Sequence, residues 1–321
     1  ELLALVSEPS LDTNLFPPGI SVADYARLLQ DPARPLYDRA LDGQYPPGST
    51  FKMITAAAAL QEGTITDQTT LGCPAAIQYG GWTYKNWAGY DMGPMNVARA
   101  IALSCDTFFY SVAARLGDLT LERYARAFGY GSPPTLEIPG AAAGNVPGHV
   151  ENPGETLTMG IGQGELLTTP LIQTMYVSAV ANGGHILQPT LVDRVVDPSG
   201  RVVSSLQPEP LSEVPVSAAN LEAVRQGMRL CLNDPHGTGY QFRLDHFSHD
   251  GGCKTGTAQY GGSGTDLPTH AWFTFFSPYD NPEIAIVVLV EGGGEGDQVA
   301  EPAAVTIADY YYAHRAAIRQ A

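Results

Sequence analysis

Hydrophobic and polar positions change rhythm along the chain. Through the first two thirds, apolar residues recur mostly at helical spacing between loops rich in glycine and proline, and in the last third they gather into short, bulky runs. The opening "ELLALVSEP" reads as a strand already under way, and residues 1–20 as strand and loop. "SVADYARLL" predicts a short amphipathic helix capped by Ser21. "PPG" at 46–48 marks a turn, and the alanine-rich "FKMITAAAALQEG" predicts a helix that starts near Ser49 and stops at Gly63. Residues 64–95 read as a loop with short strands. "NVARAIALSCDTFFYSVAARLG" predicts one helix holding Ser104, "LTLERYARAFG" a second, and the Pro and Gly density of 130–158 a long loop.

Further along, "TTPLIQTMYVSAVANGG" predicts a helix with Pro170 in its first turn and Gly183 past its end. "PTLVDRVVDPSGRVVSSL" predicts a hairpin turning at "DPSG", and "AANLEAVRQGMRLCLN" a helix. Three β-rich runs follow, "GGCKTGTAQ", "HAWFTFFSP" and "PEIAIVVLVEG", which predict an antiparallel meander. The last helical pattern, "EPAAVTIADYYYAHRAAI", would cover it. Helices first, a sheet last and helices at both ends give an α+β fold class.

Composition narrows the function. A net charge of -16 argues against nucleic acid or an anionic membrane surface as a direct partner. The longest apolar runs, such as "IAIVVLV" at 284–290, fall far short of the roughly 18 residues of a membrane span. No signal peptide precedes the opening strand, so we expect an excised domain. Four cysteines, Cys73, Cys105, Cys231 and Cys253, are too few and too scattered for a disulfide scaffold or a CxxC zinc module.

Candidate chemistry enters with the lysines. Only Lys52, Lys85 and Lys254 interrupt an otherwise arginine-only set of cations. Ser49 and Lys52, three apart on a predicted helix, share a face. A serine hydroxyl needs a base to act as nucleophile, and lysine serves when burial and neighbouring cations lower its pKa. Arginine cannot. SxxK alone is a weak signal, more often an exposed helix pair. Two further features strengthen it: "SCD" at 104–106 sets a second serine beside a carboxylate, and "KTGT" at 254–257 lies on a predicted strand.

Together "YPPGSTFKMITAAAAL", "SCDTFFY", "GIGQGELLTTPLIQTMYVSAVANGG", "CKTGTAQ" and "HAWFTFFSP" resemble, in family order, the transpeptidase domain of class B penicillin-binding proteins. "SCDTFFY", with Asp where most relatives have Asn, is similar to the elongation-type branch. The resemblance implies the fold of penicillin-binding proteins and serine β-lactamases, an antiparallel sheet flanked by helices. It implies one transpeptidase domain over 1–321, with a helical subdomain at roughly 53–185. It makes Ser49 the nucleophile, Lys52 its general base, Ser104 a proton relay, and Asp106 an acceptor that could hold Lys52 charged at rest. Lys254 would supply positive potential that lowers the pKa of Lys52. Thr255 and Thr257, flanking Gly256, would bind the substrate carboxylate, and the backbone N–H groups of Ser49 and Thr257 would form the oxyanion hole. The implied reaction cross-links peptidoglycan stem peptides through an acyl-enzyme at D-Ala-D-Ala, with β-lactams as mimics and no cofactor. The implied setting is the extracytoplasmic face of a bacterial membrane, through an N-terminal anchor and pedestal absent from this chain, with a RodA-type glycan polymerase as partner.

Several readings stay open. Hydrolysis, as a D,D-carboxypeptidase or a β-lactamase, is one; a class A β-lactamase would need a carboxylate-held water, and Glu165 lies in a penicillin-binding-protein context instead. A noncatalytic β-lactam sensor is the alternative outside enzymes. Cys73, Asp91 and Cys105 occupy the region where resembling proteins can hold a metal, but no histidine completes the set. A Cys73–Cys105 disulfide and two free buried thiols compete with it. Cys231 and Cys253 could also pair. Gly162, Gln163 and Gly164 read as support for the site floor, "YGGSG" at 260–264 as a mobile loop, and His270 and Trp272 as packing residues.

Overall fold

The computed structural model describes residues 1–205, 209–241, 249–260 and 269–318. Its centre is a helix that is apolar on every side. α2 (Lys52–Gln61) buries each residue from Lys52 to Leu60, as an all-round hydrophobic pattern requires. Around it stand α3 (Val97–Ala102), α4 (Asp106–Leu116), α5 (Asp118–Ala127), α6 (Pro153–Gly160), α7 (Pro170–Ala181) and α8 (Ala218–Asn233). Two short ladders cover one end. β1 (Leu71–Gly72) pairs with β4 (Pro94–Met95), and β2 (Ala76–Tyr79) pairs with β3 (Trp82–Lys85).

The main sheet is the antiparallel meander expected. β9 (Gly252–Ala258) pairs with β10 (His270–Ser277), which pairs with β11 (Ile284–Val290). Central β10 is buried at all eight positions, because α9 (Gly296–Ile318) packs on one face and the helical body on the other. Small residues at Ala300, Ala304 and Ala308 seat α9 on Phe273 and Phe275. Among the described residues β9 is an edge strand, so one row of its backbone groups faces away from the ladder. The "DPSG" hairpin forms from β6 (Arg194–Val196) and β7 (Val202–Ser205), beside a ladder of β5 (His185–Leu187) and β8 (Pro210–Glu213). Ser21 caps α1 (Val22–Gln30).

Three expectations are corrected. The opening segment is not a strand: residues 1–11 make one backbone bond to the rest of the chain, Leu2 N to Thr190 O (2.8 Å). The long loop of 130–158 ends in α6. Its Pro153 stands in the first turn, where no N–H is missed, and its glycines are close-packing points. A Cβ on Gly160 would lie 2.3 Å from Ala113 Cβ. Finally, the single helix expected around Ser104 is two helices, α3 and α4, broken at 103–105.

Candidate active site

Ser49 lies on a 3-10 turn, Gly48–Phe51, that runs straight into α2. The turn is pinned from three directions. Gly48 N donates to Gly162 O (2.8 Å), and a Cβ at Gly162 would sit 2.1 Å from Gly48 O. At Gly256 of β9, a Cβ would meet both Thr50 Cγ2 and Trp272 Cβ at 2.9 Å. Beneath, Gln173 Nε2 donates to Thr50 Oγ1 (2.6 Å) and Tyr176 OH to Thr50 O (2.9 Å), all three residues being buried. Glycine at 162 and 256 thus brings α6, β9 and the serine turn to one point, the supporting role expected of the "GQG" segment. Ser49 is half-buried, and among the described residues its hydroxyl makes no hydrogen bond.

Lys52 is fully buried one turn on, and its three ammonium protons are all spent on the second motif. Nζ donates to Asp106 Oδ1 (2.6 Å), Ser104 O (2.8 Å) and Ser104 Oγ (3.2 Å). Burial lowers its pKa, and the Asp106 charge and hydrogen bond oppose that. The carbonyl of Ser104 is free to accept because Ser104 takes a left-handed conformation, φ 54°, between the two helices. That conformation costs a non-glycine residue about 1–3 kcal/mol. Cys105 restarts the chain as the cap of α4, which puts Asp106 at the positive end of that helix.

The other oxygen of Asp106 accepts from Trp87 N (2.8 Å), while Asp106 N donates to Asn86 Oδ1 (2.9 Å). Asn86 and Trp87 went unnoticed in the sequence. They sit in a glycine-rich loop without a spacing rule, and only the fold reveals that this loop clamps the second motif. Cys73 and Cys105 are disulfide-bonded, which ties that loop region to the start of α4. The bond consumes both thiols of the metal set considered above, and the third member, Asp91, accepts from Gly93 N (2.8 Å) in its own turn.

On the strand side, Lys254 is also fully buried, but among the described residues Nζ donates only to Thr255 O (2.9 Å). Burial lowers its pKa to about 8, with attraction to neighbouring Cys231 opposing the drop and repulsion from Lys52 adding to it. Thr255 Oγ1 donates to Thr238 Oγ1 (2.8 Å) and Thr257 Oγ1 to the exposed Glu295 Oε2 (2.6 Å), two partners the sequence did not flag. A Cβ at Gly48 would lie 2.9 Å from Thr257 O, so the serine turn abuts β9 at Thr257.

His270 and Trp272 pack as expected. His270 Nδ1 accepts from Gly292 N (3.1 Å) with its ring stacked on Tyr260, and Trp272 Nε1 donates to Pro46 O (3.0 Å). Glu165 is exposed, and its backbone carbonyl accepts from Asn145 Nδ2 (2.6 Å). Residues 261–264 of the "YGGSG" segment lie outside the described residues. Cys231 and Cys253 are unbonded thiols.

Residues 1–309 match the family model of the penicillin binding protein transpeptidase domain. The peptidoglycan D,D-transpeptidase MrdA of Haemophilus influenzae is 36% identical over 339 residues, covering 98% of this chain and 51% of that protein. The chain thus spans about half the length of such relatives. The crystal structure of penicillin-binding protein 2 from Pseudomonas aeruginosa superposes with a TM-score of 0.85 at 34% identity, over 95% of this chain and 70% of that one. A ceftriaxone acyl-enzyme of penicillin-binding protein A from Mycobacterium tuberculosis gives 0.84 at 31%, over 95% and 70%. With the serine turn, the paired lysine and the edge-strand KTGT in one place, this chain belongs to the transpeptidase-domain family of penicillin-binding proteins.

Proposed function

We propose that the chain is the catalytic domain of an elongation-type peptidoglycan D,D-transpeptidase that β-lactams acylate at Ser49. The observation that carries this reading is the arrangement around Lys52. A buried lysine one turn from a half-buried serine is bonded to both Ser104 and Asp106. Ser49 Oγ attacks the D-Ala-D-Ala amide carbon while neutral Lys52 takes its proton. Ser104 Oγ, in contact with Nζ, passes a proton to the departing D-alanine amine. The oxyanion is received by the N–H groups of Ser49, at the positive end of α2, and of Thr257 on the edge strand. Lys254, Thr255 and Thr257 hold the donor carboxylate. An amine of a neighbouring stem peptide then attacks the ester and returns the proton by the same route, leaving a cross-link.

The negative overall charge suits neither nucleic acid nor an anionic lipid surface, and among the described residues no helix is long and apolar enough to cross a membrane. We assign the domain to the extracytoplasmic face of the bacterial membrane, held there by a segment of the parent protein, with a RodA-type glycan polymerase as partner. The test is to incubate the purified domain with benzylpenicillin and follow its intact mass for hours. A stable adduct on wild type that is absent from Ser49→Ala supports acylation at Ser49. An adduct lost within seconds would make the chain a β-lactamase, and no adduct would overturn the assignment of the nucleophile.

A further inference from the structure

Cys231 on α8 and Cys253 on β9 are fully buried, with their sulfurs 2.9 Å apart. That is inside the roughly 3.5–4.0 Å at which non-bonded heavy atoms rest, and about 0.9 Å outside a disulfide bond. The approach is built in. A Cβ at Gly252 would meet Met228 Cβ at 2.9 Å, so glycine lets α8 sit directly on the strand. A Cβ at Gly239 would lie 2.3 Å from Cys253 Sγ, so glycine also lets the following turn close over the pair. Burial would push the Cys231 thiol up, but the Cys253 contact, the Lys254 charge and the Thr238 hydroxyl outweigh it and bring it to about 6. Burial and Cys231 push Cys253 up. One nucleophilic and one resting thiol is the asymmetry that stepwise exchange uses.

We propose that Cys231 and Cys253 are a redox modification site, a dithiol that an external disulfide converts into a second cross-link stapling α8 to β9 behind Lys254 and Thr255. Cys231 thiolate attacks one sulfur of the external disulfide, forming a mixed disulfide and expelling one thiol. Cys253 then attacks the Cys231 sulfur and expels the second. Two cysteine thiols are oxidised, the external disulfide is reduced to two thiols, and the two cysteine protons end on those products. Access requires the turn at Gly237–Gly239 to open, which makes exchange slow in the folded protein.

The cross-link reaches the site by two contacts. Cys231 Sγ touches Thr238 Oγ1 (3.5 Å), which in turn accepts from Thr255 Oγ1 (2.8 Å). Drawing Cys231 onto Cys253 loosens the hydroxyl that orients Thr255. It also removes the thiolate that sustains the charge of Lys254. This regulatory consequence rests on the transpeptidase reading, whereas the modification site itself does not.

The experiment treats the purified protein with oxidised glutathione, alkylates it in denaturant and maps its peptides. The expected product is a Cys231–Cys253 peptide that mild reduction releases while Cys73–Cys105 stays closed. Acylation by a fluorescent penicillin should slow by about fivefold or more, the lower end of ordinary coupling between sites, and recover on re-reducing the same sample. Cys253→Ser and, separately, Cys231→Ser should lose the oxidant response, so either variant suffices if the other folds poorly. Thiols that stay open at every glutathione ratio overturn the site, and a cross-link that leaves acylation unchanged overturns its effect. Reduced protein that is not acylated at all counts against the transpeptidase reading, and the peptide map still decides the site.

Discussion

The two buried lysines have the same chemistry and opposite surroundings. Lys52 spends every proton on Ser104 and Asp106, so its charge is paired. Lys254 is as deeply buried, yet its only hydrogen bond among the described residues is to the adjoining Thr255 carbonyl. Burial depresses both, but only Lys52 has a carboxylate in contact to resist it. The helix side of the site stores a proton that can be moved. The strand side holds a cation that no carboxylate among the described residues contacts, with the Cys231 thiol beside it.

Removing Lys52 should have the largest effect. Lys52→Ala strips a buried carboxylate of its partner, and we expect stability to fall by about 3–5 kcal/mol in urea titrations. Penicillin acylation should slow by about 10²–10⁴-fold, the usual worth of a positioned base. Acylation within tenfold of wild type would remove Lys52 from that role.

Lys254→Met should separate function from stability. Acylation is expected to drop by about 10²–10³-fold, as when one stabilising donor is lost from an acyl-transfer site. Stability should instead rise at pH 7. The folded pKa of Lys254 lies near 8, below the ordinary lysine value of 10.5, so between those values the unfolded chain binds the extra proton. Wild-type stability therefore gains as pH rises from about 8 to 10.5, and the advantage of the variant should shrink across that window. An advantage constant from pH 7 to 10 would mean that Lys254 is not held against its charge.

This contrast was half legible in the sequence. Ser49, Lys52, Ser104 and Lys254 stood out because a chain that uses arginine almost everywhere placed two of its three lysines in the motifs. The meander and the helix 218–233 were equally plain, since uninterrupted apolar runs and a clean helical period leave little ambiguity. What failed was local. Ser104 lies in a pattern that reads as continuous helix, and the left-handed backbone that breaks it there carries no signal in the sequence. Pro153 and Gly154 read as loop because glycine marks both a bend and a close contact. Asn86, Thr238 and Glu295 carry no spacing signal, as each meets the site across a long stretch of sequence.

Asp106→Asn sharpens the comparison by making Lys52 more like Lys254. Without the carboxylate, the influence that raises the Lys52 pKa is lost and burial acts alone. The acid limb of the acylation rate should move to lower pH. The amide has one acceptor oxygen for Lys52 Nζ and Trp87 N together, so about 1–3 kcal/mol of stability should go with it. An unmoved acid limb would show that Asp106 does not set the charge of Lys52.

The smallest expected effect lies on the strand side, at Glu295. Its carboxylate already holds the Thr257 hydroxyl that we assign to the donor carboxylate, and two carboxylates cannot share one donor proton. Donor entry must therefore displace Glu295, and Glu295→Gln should quicken acylation by about twofold to fivefold, the scale of an exposed charged contact. Salt distinguishes how. If repulsion between carboxylates is the cause, the gain should fade as ionic strength rises, because exposed charges are screened over about 8–10 Å. If competition for the hydroxyl is the cause, the gain should persist, since the amide is a weaker acceptor than the carboxylate at any salt. Slower acylation in the variant would reverse the interpretation and make Glu295 a residue that positions Thr257.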